Sequence, residues 1–207
     1  ATRKGREKLL NQRRVSLVGT NQYPNIIEKS LEPSHIQNPS PQPKAAVAET
    51  IPPLPLARLA VNYEQLRAAS AAYKAKHGHG PKIHLANVNA LRRHKARADF
   101  TRAFFETGGF EVTGAEGSTD VAKITADAVA SGAELVVICG HDEDYVQYVP
   151  EICKAIKAAK PSLTLILAGM PGEHEAAYKA AGLDTNISVK SDNYATNREF
   201  LTKVGVL

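Results

Sequence analysis

His94 stands in a polar, basic stretch, residues 89–97, that directly follows a short apolar run, residues 82–88. An imidazole in this place could ligate a metal ion or a corrin cobalt, since a neutral ring nitrogen is a common metal ligand. Four cations flank it: Arg92, Arg93, Lys95 and Arg97. Nearby positive charge disfavours the imidazolium form, and no second ligand accompanies the ring in the sequence. We therefore expect His94 to be a solvent-facing loop histidine rather than a ligand.

Two further groups of residues could support metal chemistry. His77 and His79 lie two residues apart, but no third ligand is near them, so we expect a surface loop at a helix end. Asp142, Glu143 and Asp144 follow another apolar segment, and a response regulator would use such carboxylates to hold a hard cation. We expect instead the exposed first turn of a helix, where carboxylates favour the helix dipole.

The common phosphate-binding and hydrolase motifs are missing from the places where they would act. Neither G-x-G-x-x-G nor the P-loop follows the first apolar run, and no Ser-His-Asp order lies on a nucleophile elbow. The sequence therefore does not predict a Gly-rich phosphate cradle or a serine hydrolase.

The elements that must position these residues alternate regularly from residue 82 onward. The predicted strands are 82–88, 109–112, 134–139, 163–168 and 186–189, and the predicted helices are 96–107, 120–131, 145–159, 173–181 and 192–203. Gly108, Gly132 and Gly182 follow three of the helices, as left-handed caps do. Five such units predict a flavodoxin-like, doubly wound, five-stranded parallel sheet.

The chain before residue 82 has a different character. A polar helix over residues 1–14 and a strand over 15–20 are too little for a domain, so we expect the end of a larger fold. Seven of the twelve prolines fall within residues 33–55, which predicts an extended linker over 33–56, with an SH3-type ligand as the less common alternative. A connecting helix is predicted within 57–81, with Asn62 as its N-cap and Gln65 closing a capping box.

Composition narrows the class of protein. A chain of 207 residues with 43% apolar residues can bury a core. The sequence contains no run of 18 apolar residues, so it does not predict a membrane-spanning helix. Cys139 and Cys153 do not have the spacing of a disulfide framework, so we expect them to be reduced thiols in the core, which favours a cytoplasmic location. Residues 1–81 carry 12 Lys/Arg and 5 Asp/Glu. This basic half lacks a nucleic-acid recognition motif, so a partner-facing or solvated surface is favoured.

Three sequence blocks carry a family resemblance: LVGTNQYPN at residues 17–25, LARLAVNYEQLR at 56–67, and residues 85–110, which contain LANV, ADF and FFETGGF. They resemble the small (β) subunit of methylmalonyl-CoA mutase, an adenosylcobalamin-dependent isomerase. Their order and spacing match the C-terminal part of that subunit. The resemblance implies that residues 1–32 are the tail end of a (β/α)8 barrel, 33–56 a linker, 57–81 a connecting helix and 82–207 a cobalamin-binding-like domain.

The resemblance also implies where a cofactor would bind. In the catalytic subunit of the family, this domain binds cobalamin through D-x-H-x-x-G, whose His is the lower cobalt ligand. The matching window is RRHKAR, residues 92–97, in which His94 aligns while Arg92 replaces the Asp and Arg97 replaces the Gly. The family's Asp orients the imidazole and increases its basicity, and a cation in its place has the opposite electrostatic effect.

Two other contact positions of the family are also changed. The family's Ser-x-Leu after the third strand corresponds to Cys139, Gly140 and His141. Its Gly-Gly after the fourth strand survives only as Gly169, between Ala168 and Met170. The resemblance therefore implies vestigial positions at His94, Cys139, Gly140, His141 and Gly169.

The expected function follows from this resemblance. It implies a non-catalytic, structural domain with no catalytic or metal residue, paired with a large catalytic subunit that carries adenosylcobalamin and interconverts methylmalonyl-CoA and succinyl-CoA. A second expected contact is the barrel portion of its own subunit, with no nucleic acid or membrane partner. Two alternatives stay open: a working cobalamin or corrinoid module that uses His94, and an interaction module built on the basic head and Pro-rich linker.

Overall fold

A computed structural model describes residues 2–28 and 58–207. These residues form seven α-helices, five β-strands and two short 3-10 turns. The helices are α1 (Arg3–Asn11), α2 (Val61–His77), α3 (Leu91–Phe105), α4 (Val121–Ala130), α5 (Asp142–Ala159), α6 (Glu175–Ala180) and α7 (Asn193–Lys203). The strands are β1 (Lys82–Asn87), β2 (Glu111–Gly114), β3 (Leu135–Cys139), β4 (Thr164–Ala168) and β5 (Thr185–Ile187). The predicted Pro-rich linker lies outside the described residues.

The five strands form one parallel sheet in the order β2-β1-β3-β4-β5. This is the flavodoxin-like order, so the predicted fold class is confirmed. The order reverses between β1 and β3, because the chain leaves β1 toward β2 and then crosses back to β3. That reversal opens a crevice at the carboxyl ends of the two strands, where ligands bind in such sheets.

Two apolar layers hold the sheet between its helices. Successive side chains of a strand point to opposite faces, so β3 sends Val136 and Ile138 to one layer and Leu135, Val137 and Cys139 to the other. Helices α4, α5 and α6 cover the first layer, and α2, α3 and α7 cover the second. Every residue of β3 and β4 is buried, which is the pattern of strands covered on both faces.

The head of the chain folds differently from the prediction. The polar helix is present as α1, but residues 15–20 form no strand, and a single bridge joins Val18 to Gln22. The reason is Asn21, whose buried amide donates to the carbonyls of Leu10 and Val15 and whose oxygen accepts from the Leu17 amide. These local bonds hold the backbone in turns and compete with an extended strand.

Helix α2 joins the head to the sheet. One face of this helix is buried through Tyr63, Leu66 and Ser70, and the helix ends at Gly78 in the left-handed conformation. The predicted Asn62 cap is wrong, because the helix already begins at Val61 and has no side-chain cap. The Tyr63 hydroxyl lies 3.0 Å from the Asn193 Oδ1 and 3.4 Å from the Asn11 carbonyl oxygen, so the helix contacts both α7 and the head.

One other boundary differs from the sequence prediction. Gly109, rather than Gly108, takes the left-handed conformation after α3, because a 3-10 turn over Glu106–Gly108 extends the helix.

Within residues 2–28 and 58–207, no helix combines the length and apolar character needed to cross a bilayer. Cys139 and Cys153 are buried and free, as predicted.

Candidate functional site

The crevice at the strand-order reversal is the place where the fold would hold a ligand. We call it the switch crevice; residues 88–90, 140–142 and 168–170 bound it, at the carboxyl ends of β1, β3 and β4. Val88 donates to the Cys139 carbonyl over 2.8 Å, which extends the β1–β3 pairing into this region. Side chains from α3 and α5 lie across it and decide what space remains.

A charged cluster joins the start of α3 to the start of α5. Arg93 donates through Nε and Nη2 to both carboxylate oxygens of Asp144, over 2.9 and 2.8 Å, and also reaches Glu143 over 3.0 Å. Asn89 adds a donor to Asp144 over 3.2 Å. The hydrogen bonds from Arg93 hold the pKa of the Asp144 carboxyl below its usual range, although burial acts in the opposite direction. The cluster therefore ties one wall of the crevice to the other.

Arg97 lies across the crevice at the next turn of α3. Its Nη1 donates to the Ala168 carbonyl at the end of β4 over 3.1 Å, and its Nη2 pairs with Asp142 over 2.8 Å. A methyl group added at Gly169 would lie 2.5 Å from the Arg97 Nη1. The guanidinium therefore occupies the space that the missing side chain of Gly169 leaves open.

Tyr145 closes the floor of the crevice from the α5 side. Its hydroxyl donates to the Ala168 carbonyl over 2.7 Å and accepts from the Gly140 amide over 3.0 Å. Burial raises the pKa of this phenol far above its usual range, so the hydroxyl stays neutral and serves as a structural link between β3 and β4.

His94 is placed differently from the sequence prediction. Residues 91–97 belong to α3, so the predicted loop is mostly helix, and the ring is buried with 4% exposure rather than solvent-facing. Its Nδ1 lies 3.0 Å from the carbonyl oxygen of Asn89. Asn89 has φ of 67°, a left-handed conformation that Asn tolerates, and it turns the chain sharply enough for the helix to begin at Leu91. The sequence could have indicated this turn through the Asn residues that end β1.

The ring of His94 is held between α3 and the loop after β2. A methyl group added at Gly117 would lie 2.4 Å from the His94 Cε1, so glycine is needed for this close approach. Leu85, Asn87 and Ala98 line a groove of about 560 Å³ beside the ring. The imidazole therefore faces this groove between α3 and the β2 loop.

The other predicted site positions are partly brought together. Cys139, Gly140 and His141 end β3, but Cys139 is wholly buried, and burial raises the pKa of its thiol to about 12. His141 is the N-cap of α5, where Nδ1 accepts from the Glu143 amide over 3.4 Å. Gly169 lies under Arg97, as described above. These residues surround the crevice without converging on one point.

The structure shows where the acidic run, residues 142–144, and the histidine pair, His77 and His79, lie. Asp142, Glu143 and Asp144 form the first turn of α5 as predicted, but Asp144 is buried against Arg93 and only the other two are exposed. His77 stacks on Tyr73 with ring centroids 4.2 Å apart. Within residues 2–28 and 58–207, no group of three or more His, Cys, Asp or Glu side chains could hold a metal ion.

Sequence reasoning missed two features. The first is that Arg93, Arg97 and Tyr145 close the crevice. It was missed because the pattern of apolar residues along the sequence does not show which distant residue a polar side chain will contact. The other is His84 in β1, which is buried with 5% exposure and has no hydrogen-bond partner for either ring nitrogen among the described residues. Its place within a short apolar run was the available signal.

Comparisons with known proteins support the resemblance. The chain is 28% identical over 201 residues to the methylmalonyl-CoA mutase small subunit of Porphyromonas gingivalis, covering 97% of this chain and 31% of that protein. It is 30% identical over 208 residues to the small subunit of Streptomyces virginiae, covering 100% and 30%, and 27% identical over 194 residues to a probable small subunit of Mycobacterium bovis, covering 93% and 28%. No protein-family model matches the chain.

One solved structure has a distant similarity to the chain. A CheY-like protein, TadZ, from Pseudomonas aeruginosa has 15% sequence identity and a TM-score of 0.46, covering 61% of this chain and 94% of the other.

The sequence matches confirm the predicted resemblance to methylmalonyl-CoA mutase small subunits over nearly the whole chain. The chain spans about 30% of the length of these relatives.

Proposed function

We propose that this chain is a cofactor-free α/β domain of a mutase small subunit, with a structural role in pairing with a large catalytic subunit. The observation that carries the proposal is the position of Arg97, whose guanidinium lies on Gly169 and pairs with Asp142 across the switch crevice. The family likeness supplies the context, because the relatives are named small subunits of methylmalonyl-CoA mutase.

The residues present do not fit a corrin in the switch crevice. A large, rigid macrocycle would need the crevice to be open, whereas Arg97 spans it from α3 to the carbonyl of Ala168 and Arg93 ties α3 to α5. Displacing Arg97 would break its pair with Asp142 and its hydrogen bond to the Ala168 carbonyl.

The side chains that the family pattern would use also argue against cofactor binding. His94 is buried with its Nδ1 on the Asn89 carbonyl, and it lines the groove toward the β2 loop rather than the crevice. Arg92, in place of the family's Asp, is exposed and has no carboxylate to offer the imidazole. The proposed role is therefore a scaffold, with the isomerase chemistry belonging to the partner.

Exposed apolar residues support the pairing part of the proposal. Twelve large apolar side chains of the described residues are exposed, and seven of them lie between residues 9 and 27. They are Leu9, Val15, Leu17, Val18, Tyr23, Ile26 and Ile27. Such a concentration on one segment is typical of a surface that another chain or domain covers.

Titration with hydroxocobalamin, followed by visible absorbance, tests the loss of cofactor binding. We expect no spectral change at high micromolar cofactor for the wild-type chain. A shift that shows a protein imidazole replacing the lower base, and that disappears in His94→Ala, would overturn the proposal in favour of a corrinoid module. An Arg92→Asp, Arg97→Gly variant, which restores the family pattern at both positions, provides the matched comparison.

Complex formation with a large catalytic subunit of methylmalonyl-CoA mutase tests the pairing role. We expect light scattering after size exclusion to show a complex that Val18→Asp weakens and Val146→Asp leaves intact. Both valines are exposed, but Val146 lies on α5, away from the head. Failure of the chain to form any complex would rule out pairing through this region.

A further inference from the structure

A second groove, of about 510 Å³, lies between the end of α1, the helix α3 and the loop after β5. Three cations line it: Arg13, Arg14 and Lys190. Phe100 and Phe104 supply an apolar wall. No carboxylate lies among the described lining residues, so the groove combines positive charge with an aromatic surface.

Arg13 differs from the other half-buried arginines of the described residues. Arg67 donates to the carbonyls of Thr20 and Gly19, Arg93 pairs with Asp144, and Arg97 pairs with Asp142. Within residues 2–28 and 58–207, Arg13 has neither a hydrogen-bond acceptor nor an ion-pair partner for its guanidinium. A partly buried charge without a partner costs stability, so this arrangement needs another reason.

The backbone at Arg13 is itself unusual. Its φ is 55°, in the left-handed region that side chains other than Gly, Asn and Asp rarely adopt. The amide of Arg13 donates to the Leu10 carbonyl over 3.0 Å, and the amide of Arg14 donates to the Leu9 carbonyl over 2.8 Å. These two bonds are those of a Schellman C-cap, in which the residue after the cap is left-handed, so the end of α1 fixes the backbone of Arg13 at the groove.

The loop after β5 adds two hydroxyl donors. Ser191 accepts a hydrogen bond from the Ser188 amide over 3.0 Å, and Ser188 accepts one from the Lys190 amide over 3.2 Å. Neither hydroxyl donates to any described residue, although Ser188 is 93% buried, with 7% exposure. Both line the groove, so their O–H groups are available to an acceptor that enters it.

We propose that this groove binds a small phosphate monoester with a flat apolar body. A dianionic phosphate matches several converging cations, and a guanidinium engages two phosphate oxygens at once. The two serine hydroxyls would donate to the remaining oxygens, and the rings of Phe100 and Phe104 would contact the apolar body. The volume is within the usual range for small-molecule pockets. The groove shares no lining residue with the switch crevice. Arg13 and Arg14 lie within the same head segment, residues 9–27, as the proposed pairing surface, so the site is tested on the chain without the large subunit.

Phenyl phosphate is the probe that tests this site. Calorimetric titration of the whole chain should show saturable binding that weakens at least tenfold in Arg13→Gln and several-fold in Lys190→Gln. Phenol and inorganic phosphate, as separate probes, should each bind more weakly than phenyl phosphate. Arg6→Gln, which changes an exposed arginine of α1 outside the groove, should bind like the wild type.

Thermal unfolding without ligand separates a binding role from a structural one. Because Arg13 has no partner among the described residues, Arg13→Gln should leave the unliganded Tm unchanged or higher, whereas loss of a structural arginine would lower it. The proposal is overturned if phenyl phosphate does not bind, or binds equally to the wild type and both groove variants. Equal binding of inorganic phosphate and phenyl phosphate would also overturn it. Lys190→Gln, in an exposed loop, keeps the test informative if Arg13→Gln fails to fold.

Discussion

His84 should make the protein sensitive to mild acid. The ring lies in β1 with 5% exposure, on the same strand face as Ala86, which packs toward α4. Neither ring nitrogen has a partner among the described residues. Burial lowers the pKa of His84 below its usual value of 6.5, and attraction to Asp127 opposes this only in part. The folded protein therefore holds this imidazole in its neutral form.

The pH dependence follows from the difference between the folded and unfolded chains. The unfolded chain binds a proton at His84 near pH 6.5, while the folded chain does not. Stability is therefore highest above this value and is lost as the pH falls toward the lowered pKa of the folded state. If the buried ring stays neutral throughout, the free energy of unfolding should fall by about 1.4 kcal/mol between pH 7.5 and 5.5.

The substitution His84→Leu should remove this dependence. Leucine fills a similar volume in an apolar layer without leaving unpaired ring nitrogens, so we expect the variant to be about 1 kcal/mol more stable at pH 7.5. The difference from wild type should widen to roughly 2 kcal/mol at pH 5.5, because only the wild type can lose stability through this group.

Urea denaturation followed by circular dichroism, at pH 7.5, 6.5 and 5.5, measures the effect without relying on tryptophan, which the chain lacks. His77→Gln, at an exposed position, is the control and should follow the wild-type profile. Carboxylates such as Asp144, whose pKa is lowered in the fold, act only at lower pH, below about 4. Parallel profiles for His84→Leu and wild type would refute the reasoning.

Three further predictions concern the crevice and the core thiols. Tyr145→Phe should lower the free energy of unfolding by about 1–2 kcal/mol, because a strand-end amide loses its acceptor; urea denaturation measures it. Gly169→Ala should cost about 1–3 kcal/mol, since φ is 145° and the methyl meets Arg97, and Arg97→Ala should recover part of this loss in a double-mutant cycle. Cys139 and Cys153 should resist a thiol reagent at pH 8 until urea unfolds the chain, because burial raises both thiol pKa values to about 12.

Each of these three has an outcome that would contradict it. Full stability of Tyr145→Phe would mean that the amide finds another acceptor. Additive costs in the double-mutant cycle would show that the Gly169 methyl and Arg97 do not meet. Rapid labelling of either thiol in the folded protein would show that the layers open far more readily than their burial implies.

The sequence determined the fold class because that information is local. Apolar runs of strand length alternate with amphipathic segments, and glycines mark helix ends, so the parallel sheet followed from chain connectivity alone. The buried, free state of Cys139 and Cys153 followed from the apolar runs around them. The family likeness also lay in the linear sequence, in blocks that the comparisons with small subunits support.

Tertiary structure alone decided what the candidate site contains. The basic residues around His94 suggested a loop, but the left-handed turn at Asn89 starts a helix that buries the ring and sends Arg93 to Asp144, 51 positions away. Ion pairs between distant residues depend on which helices pack against each other, and the local pattern of apolar residues does not encode that packing. Arg13, which has no partner among the described residues, is of the same kind, because whether a charge has a partner is settled only when distant segments pack together.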